Sequence, residues 1–232
     1  MDKENLHVGI VLDGNRRWAK ARGLHSWDGH KAGSETLKKV LLGMEGSGVR
    51  ELTVYIFSMQ NFKRAEEEKS RLFELAAKYF REMGGNPKIA QKGIRLNFIG
   101  RIGLLPENLQ KAISELMEKT SDNRNYIVNF AMGYGGREEM VDAMKSIAKK
   151  VEAGELRSED VNDAVVSDNL YLKSEPDLII RTGGDTRTSN FLIWQSSYSE
   201  WFFLEKYWPD FSIDDLKLCI TQFKNRGRRF GK

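Results

Sequence analysis

Apolar side chains recur along this chain in two rhythms. Leu37, Val40, Leu41 and Met44 fall at i, i+3, i+4 and i+7, the spacing that lines one face of an α-helix. Leu72, Leu75, Ala76 and Tyr79 repeat it, with Phe80 and Met83 extending the stripe. So do Leu109, Ala112, Ile113, Leu116 and Met117 behind Pro106, and Met140, Ala143, Met144, Ile147, Ala148 and Val151. A last stripe, Leu216, Cys219, Ile220 and Phe223, follows Ser212, whose hydroxyl suits a helix N-cap. Between these stripes lie short β-branched or apolar runs: His7 to Leu12, Leu52 to Phe57, Ile94 to Ile99, Tyr126 to Ala131, Asp177 to Ile180 and Asn190 to Trp194. Strands alternating with helices predict an α/β fold, a mostly parallel central sheet flanked by helices on both faces. No linker or repeat divides the chain, so residues 1–232 read as one domain. Lys63 to Arg71 reads as a solvated, mixed-charge helix start, and Gly84-Gly85-Asn86-Pro87 as a turn.

Composition narrows the class. At 40% hydrophobic and 30% charged residues the chain is expected to be neither disordered nor membrane-spanning. The single Cys219 forbids an intrachain disulfide, and His7, His25 and His30 lack zinc-site spacing. The N-terminal residues carry mixed charge, not a basic then apolar leader, which predicts a cytoplasmic protein. A net charge of +4 over 232 residues suits an anionic ligand but is too weak to imply nucleic acid.

Ligands of open parallel sheets bind beyond the carboxyl ends of the strands. Those ends are dense in Gly, Asn and Arg. After the first strand comes Asp13-Gly14-Asn15-Arg16-Arg17-Trp18. A helix N-terminus with two arginines suits a phosphate. A carboxylate at that place needs a cation between it and the phosphate, which points to Mg²⁺ held by Asp13 and substrate oxygens. An ordinary turn capping a helix would carry the same Asp-Gly-Asn. After the fifth strand, Arg181-Thr182-Gly183-Gly184-Asp185-Thr186-Arg187-Thr188-Ser189 offers guanidinium forks and a hydroxyl to a second anion. Neither segment is a Walker loop or a dinucleotide fingerprint. Two phosphate sites in one small domain favour group transfer between two phosphorylated substrates over hydrolysis. Ser58-Met59-Gln60-Asn61-Phe62-Lys63-Arg64, at the end of the second strand, is by itself a polar loop.

Together these blocks resemble the cis-prenyltransferases, the family of undecaprenyl and dehydrodolichyl diphosphate synthases. His7 to Ala19, Gly29-His30-Lys31-Ala32-Gly33, Phe57 to Arg64, Asn129 to Arg137, and Arg181 to Trp194 with Glu200 occur in the family's order. The resemblance implies a homodimer that condenses isopentenyl diphosphate with an allylic prenyl diphosphate, releasing diphosphate and setting a cis double bond. It makes Asp13 the Mg²⁺-holding acid and Glu200 a second metal ligand supplied across the dimer. Gly14, Asn15, Arg16, Arg17, Trp18, His30 and Arg64 match the allylic side, with Met59, Gln60 and Phe62 beside them. Arg181, Arg187, Thr188 and Ser189 match the isopentenyl diphosphate side. Asn61, with Ser58 next to it, stands where the family's proton-accepting Asn is placed.

Ser26, Gln60 and Phe62 differ from residues common at their places, and Arg16 stands as in archaeal and eukaryotic members. Ile56 replaces an Ala frequent in long-chain members, which points to a shorter or differently shaped product tunnel. The product is expected to partition to the membrane, making the enzyme peripheral to it. The aromatic run Trp201-Phe202-Phe203 is expected at the dimer contact, with filling of the monomer's own core as the alternative. A non-catalytic scaffold subunit of a heteromeric enzyme is the other reading, and Asp13, Arg187, Ser189 and Glu200 argue against it. The basic tail Arg226 to Lys232 could touch nucleic-acid phosphate, but family members often end in a similar segment near the dimer contact.

Overall fold

Strand β1 (Leu6–Val11) is buried along its whole length, as a strand covered on both faces must be. It lies inside a six-stranded sheet seen in a computed structural model that describes residues 5–226. The chain continues through α1 (Asn15–Lys20), α2 (Ser26–Leu42), β2 (Val49–Ser58), α3 (Glu66–Gly85), α4 (Pro87–Gln91), β3 (Ile94–Ile99) and α5 (Glu107–Lys119). It ends through β4 (Tyr126–Tyr134), α6 (Gly136–Glu152), α7 (Asp163–Asp168), β5 (Leu178–Arg181), β6 (Glu200–Phe203) and α8 (Ile213–Asn225). The strand order is β3-β4-β2-β1-β5-β6, and every pairing is parallel.

Parallel pairing puts all carboxyl ends on one edge. Val11 lies opposite both Tyr55 and Arg181, and Ser58 opposite Tyr134. Asp13, Ser58, Tyr134 and Arg181, far apart in sequence, therefore meet at one rim. Leu6, Val8 and Ile10 of β1 turn to one face, where they pack with apolar residues of α2, α3, α5 and α8. Val11, with Tyr55 and Ile179, turns to the other, under Leu172, Phe191 and Leu192. The buried Glu139 of α6 fastens that second cover, accepting Tyr134 Oη at 2.5 Å, the Tyr171 backbone N–H at 2.9 Å and Gln195 Nε2 at 3.1 Å.

The helix ends follow the capping rules. Ser212 Oγ accepts the Asp215 N–H at 3.2 Å while the Asp215 carboxylate accepts the Ser212 N–H at 2.8 Å. The charged run before Arg71 opens α3 with Glu66, Glu67 and Glu68 in its first turn, where acids favour the positive helix end. The Gly84–Pro87 turn is the junction of two helices, with Asn86 capping α4.

One expected strand is absent. Asn190 to Trp194 is a folded-in turn, with φ of 63° at Asn190 and 46° at Leu192, values no extended strand holds. A short apolar run cannot by itself distinguish strand from buried turn. The sixth strand is the aromatic run instead. Alternation splits it: Phe202 is buried in the core, whereas Trp201 and Phe203 stack at 5.7 Å on the opposite face, with Phe203 38% exposed. No described helix is long and apolar enough to cross a membrane.

Candidate active site

The sheet rim opens into a cavity of about 910 Å³ with two kinds of wall. Its mouth is lined by Asp13, Arg16, Arg17, Arg64, Arg181, Arg187 and Ser189. Its interior runs between the sheet and helices α2 and α3, past Leu37, Ile56, Phe57, Ala76, Tyr79 and Phe80. A long apolar chain fits the interior, and anionic groups fit the mouth.

Asp13 stands at the centre of the mouth. Its Oδ1 accepts the Gly14 N–H at 2.6 Å and lies 3.1 Å from Arg17, and its Oδ2 accepts Arg181 at 2.7 Å. Gly14 has φ of 102°, and a Cβ there would come 2.7 Å from the Tyr207 ring. Only glycine lets the turn approach that ring.

Each candidate anion site gathers residues from different elements. On the first side are the start of α1, with Asn15, Arg16 and Arg17, His30 from α2, and Arg64 from the turn after β2. Arg64 reaches Glu68 at 3.0 Å, and burial lowers its pKa. Burial, reinforced by Arg64, lowers the His30 pKa to about 4, so the ring is neutral at pH 7. His30 Nε2 and Asn15 Oδ1 are buried without hydrogen-bond partners in the protein. A buried polar atom left unpaired is costly unless a ligand or water completes it. On the second side Arg181, 3% exposed, donates to the Arg187 carbonyl at 2.5 Å and to Ser189 Oγ at 2.7 Å, while its Nε is left unpaired.

Asp185 is a site residue that its sequence context left unassigned. Its carboxylate bonds Arg17 of the first site and Arg187 of the second, each at 2.9 Å. Burial works to raise its pKa, but Arg17 and Arg187 hold it below the usual value. A lone acid inside an arginine-rich loop was the available signal. Trp208, whose backbone N–H donates to the Asp13 carbonyl at 3.0 Å, gave no local signal.

Of the sequence-derived set, Gly14, Ser58, Gln60 and Asn61 also line the cavity. Asn61 Oδ1 accepts the Ser58 N–H at 3.0 Å, and Ser58 Oγ accepts the Asn61 N–H at 3.3 Å, so the pair holds its own turn. Trp18, Met59, Phe62, Thr188 and Glu200 are not on the wall. Trp18 Nε1 donates to Asp210 at 2.7 Å beneath the Arg22 guanidinium, which ties α1 to the turn after Tyr207. Phe62 sits edge-on to Phe57 at 5.1 Å and holds the 59–63 turn against the core. Met59 opens that turn half-buried, and Thr188 is exposed. Glu200 pairs with Arg226 at 3.0 Å. It lies opposite Leu178, three residues back from the Arg181 end of β5, roughly 10 Å along the strand. Within one chain it does not join Asp13. The rest of the basic tail, residues 227–232, lies outside the described residues.

Comparisons with known proteins identify the family. The family model "Putative undecaprenyl diphosphate synthase" matches residues 11–231. A tritrans,polycis-undecaprenyl-diphosphate synthase (geranylgeranyl-diphosphate specific) of Pyrococcus abyssi is 45% identical over 97% of this chain and 86% of its own. An isoprenyl transferase of Clostridium perfringens is 42% identical over 99% of this chain and 91% of its own. The crystal structure of lavandulyl diphosphate synthase from Lavandula x intermedia, in complex with dimethylallyl diphosphate, superposes with a TM-score of 0.96 at 35% identity, each chain covered completely. With one continuous match over nearly its whole length and a superposable fold, this chain belongs to the undecaprenyl diphosphate synthase family, the cis-prenyltransferases.

Proposed function

We propose that the protein elongates a prenyl chain in cis, joining isopentenyl diphosphate to an allylic prenyl diphosphate and releasing diphosphate, as one catalytic domain over residues 1–232. The observation that carries this reading is the cavity itself, a mouth set with arginines from three strand ends that opens onto an apolar interior. Gly14, Asn15, Arg16, Arg17, His30 and Arg64 bind the allylic diphosphate, with Gln60 beside them. Arg181, Arg187 and Ser189 bind isopentenyl diphosphate. Asp13, Arg187, Ser189 and Glu200 are all present, which weighs against a scaffold subunit without activity.

Asp13 suits Mg²⁺. Its carboxylate lines the cavity mouth among arginines that suit diphosphate oxygens, so it would hold the ion together with those oxygens and Glu200 from a partner subunit. When bound, Mg²⁺ supplies positive charge to the departing diphosphate. Arg16, Arg17, Arg64 and the orphaned His30 add donors to the same oxygens, and the apolar interior keeps water from the allylic carbon. The Asn61 amide oxygen keeps a second lone pair beyond its bond to Ser58. A neutral amide is a weak base, so it orients the departing proton toward an anionic diphosphate oxygen.

Glu200 reaches a metal only from a partner subunit, which supports a homodimer formed along β6. The half-buried Trp201 and the exposed Phe203 suit that contact. A cytoplasmic enzyme delivering its product to a membrane follows from the same reading. Labelled isopentenyl diphosphate with each of dimethylallyl, geranyl, farnesyl and geranylgeranyl diphosphates, with and without EDTA, tests the reaction. Elongated product that disappears with EDTA is expected, and no product with any of the four defeats the reading. Mixing Asp13→Ala and Glu200→Ala chains tests the shared site. A mixed dimer keeps one intact site, so activity returns in part, and no recovery after demonstrated chain exchange excludes sharing.

A further inference from the structure

The loop that carries the second anion site contains the densest run of strained backbone among the described residues. Ser189, Asn190 and Leu192 have φ of 52°, 63° and 46°, and Asn5 is the only other described non-glycine residue with positive φ. Such conformations persist where their surroundings over-determine them, and they gather at functional sites.

Here the surroundings can be named. Asn190 Oδ1 accepts the Arg137 N–H at 2.9 Å, and its Nδ2 donates to Glu138 Oε2 at 2.9 Å. The Asn190 carbonyl accepts the Gly136 N–H at 2.8 Å. The Tyr55 hydroxyl lies 3.2 Å from the Tyr134 carbonyl and 3.4 Å from that of Ser189, between which it shares its proton, and Phe191 stacks on the Tyr55 ring at 4.7 Å. A Cβ on Gly135 would lie 2.2 Å from the Glu138 carboxylate and 2.7 Å from Asn190 Nδ2, so glycine is needed for the grip to close. Both polar atoms of the Asn190 amide are thus committed to the start of α6, and Asn190 lines the cavity together with Ser189 and Arg187. Glu138 itself is off the cavity wall.

Resting on the reading that this loop holds isopentenyl diphosphate, we propose that Glu138 is a positioning residue for that substrate, setting the Arg187–Ser189 loop through Asn190. Its carboxylate accepts an N–H from Asn190 and keeps the left-handed turn closed. Without it the turn relaxes, and Ser189 Oγ and the Arg187 carbonyl no longer meet Arg181. A purely structural role is the competing explanation, because Glu138 also stands in the first turn of α6, where an acid favours the helix.

The test uses the full chain with Mg²⁺ and reads three quantities: calorimetric binding of isopentenyl diphosphate alone, KM for each substrate, and Tm. Glu138→Ala is expected to weaken isopentenyl diphosphate roughly tenfold, the worth of one charge-assisted hydrogen bond, with the allylic KM unchanged. Glu138→Gln keeps an accepting oxygen and should stay near wild type. Asn190→Asp sets two carboxylates against each other on a cavity wall and should be worse than Glu138→Ala, and adding Glu138→Gln to it should restore part of the binding. The proposal is overturned if Glu138→Ala leaves isopentenyl diphosphate affinity unchanged. It is also overturned if both substrates weaken together as Tm falls, or if the folded double variant shows no recovery. A wild type that binds with this dependence yet makes no prenyl product would leave the clamp standing and defeat the proposed reaction instead. A wild type that does not bind isopentenyl diphosphate defeats both.

Discussion

Two polar clusters share this sheet and differ in how far each is satisfied. Toward the amino ends of the strands, His7 Nε2 and Thr53 Oγ1 are 2.8 Å apart, and Asn129 Nδ2 reaches Thr53 at 3.1 Å and Glu51 at 2.7 Å. Ser174 donates to the same Glu51 oxygen at 2.6 Å, and Asn97 donates to Asn129 at 3.2 Å. Apart from His7 Nδ1, this layer is closed on itself. At the carboxyl ends, His30, Asn15 and Arg181 each keep a buried polar atom without a partner, and all three face one cavity. A saturated network rigidifies a fold, and an unsaturated one facing a cavity is built for something that arrives.

The largest expected effect lies at the open cluster. Asp13→Ala should lower turnover about 10²-fold or more in a protein that still folds, because it removes a proposed charge partner of the departing diphosphate. Turnover near wild type in the folded variant would break the contrast.

His30 sharpens the contrast through pH. Its pKa is lowered in the folded state from 6.5 to about 4, so the unfolded chain binds the proton more readily between those values. The stabilising contribution is full above pH 6.5 and is lost as pH falls toward 4, on the order of 3 kcal/mol. Urea unfolding of the ligand-free protein over this range should show the slope. His30→Gln should flatten it, and an unchanged slope would remove His30 from the account.

The two anion sites should separate next. Arg187→Ala should chiefly raise KM for isopentenyl diphosphate and Arg64→Ala that for the allylic substrate, each by about 10- to 150-fold, or roughly 1.5–3 kcal/mol. Kinetics with each substrate varied in turn decide it, and two variants raising the same KM would erase the division.

The closed cluster should respond oppositely. Asn129→Leu leaves Glu51 and Thr53 short of a donor, so stability in urea should fall by about 1–3 kcal/mol while both KM values hold. A KM change without loss of stability would mean the two clusters are not distinct.

Residue pattern and motif order made much of this legible. The β1-to-α1 turn, the Arg181–Ser189 loop and the helical stripes of α3, α5, α6 and α8 were visible because each is local, set by spacing and capping within a dozen residues. The Asn190–Trp194 strand failed because its apolar residues are buried by a turn, and hydrophobicity alone does not record φ. Trp18 and Phe62 belong to matching motifs, yet they pack and hold the frame without reaching the cavity. Asp185 is local to its loop, but its meaning lies in bridging Arg17 and Arg187.

The sequence by itself determined the alternation of strands and helices, the two arginine-bearing strand ends and the acid between them, because hydrophobic period and turn chemistry act over short range. Only the tertiary structure decided which side chains converge. Parallel pairing carries Asp13 to Arg181 across 168 positions, splits Trp201 and Phe203 from Phe202, sets Glu200 back from the rim, and lets Glu138 grip Asn190. Those outcomes depend on strand order and register, which arise from burying every apolar face at once.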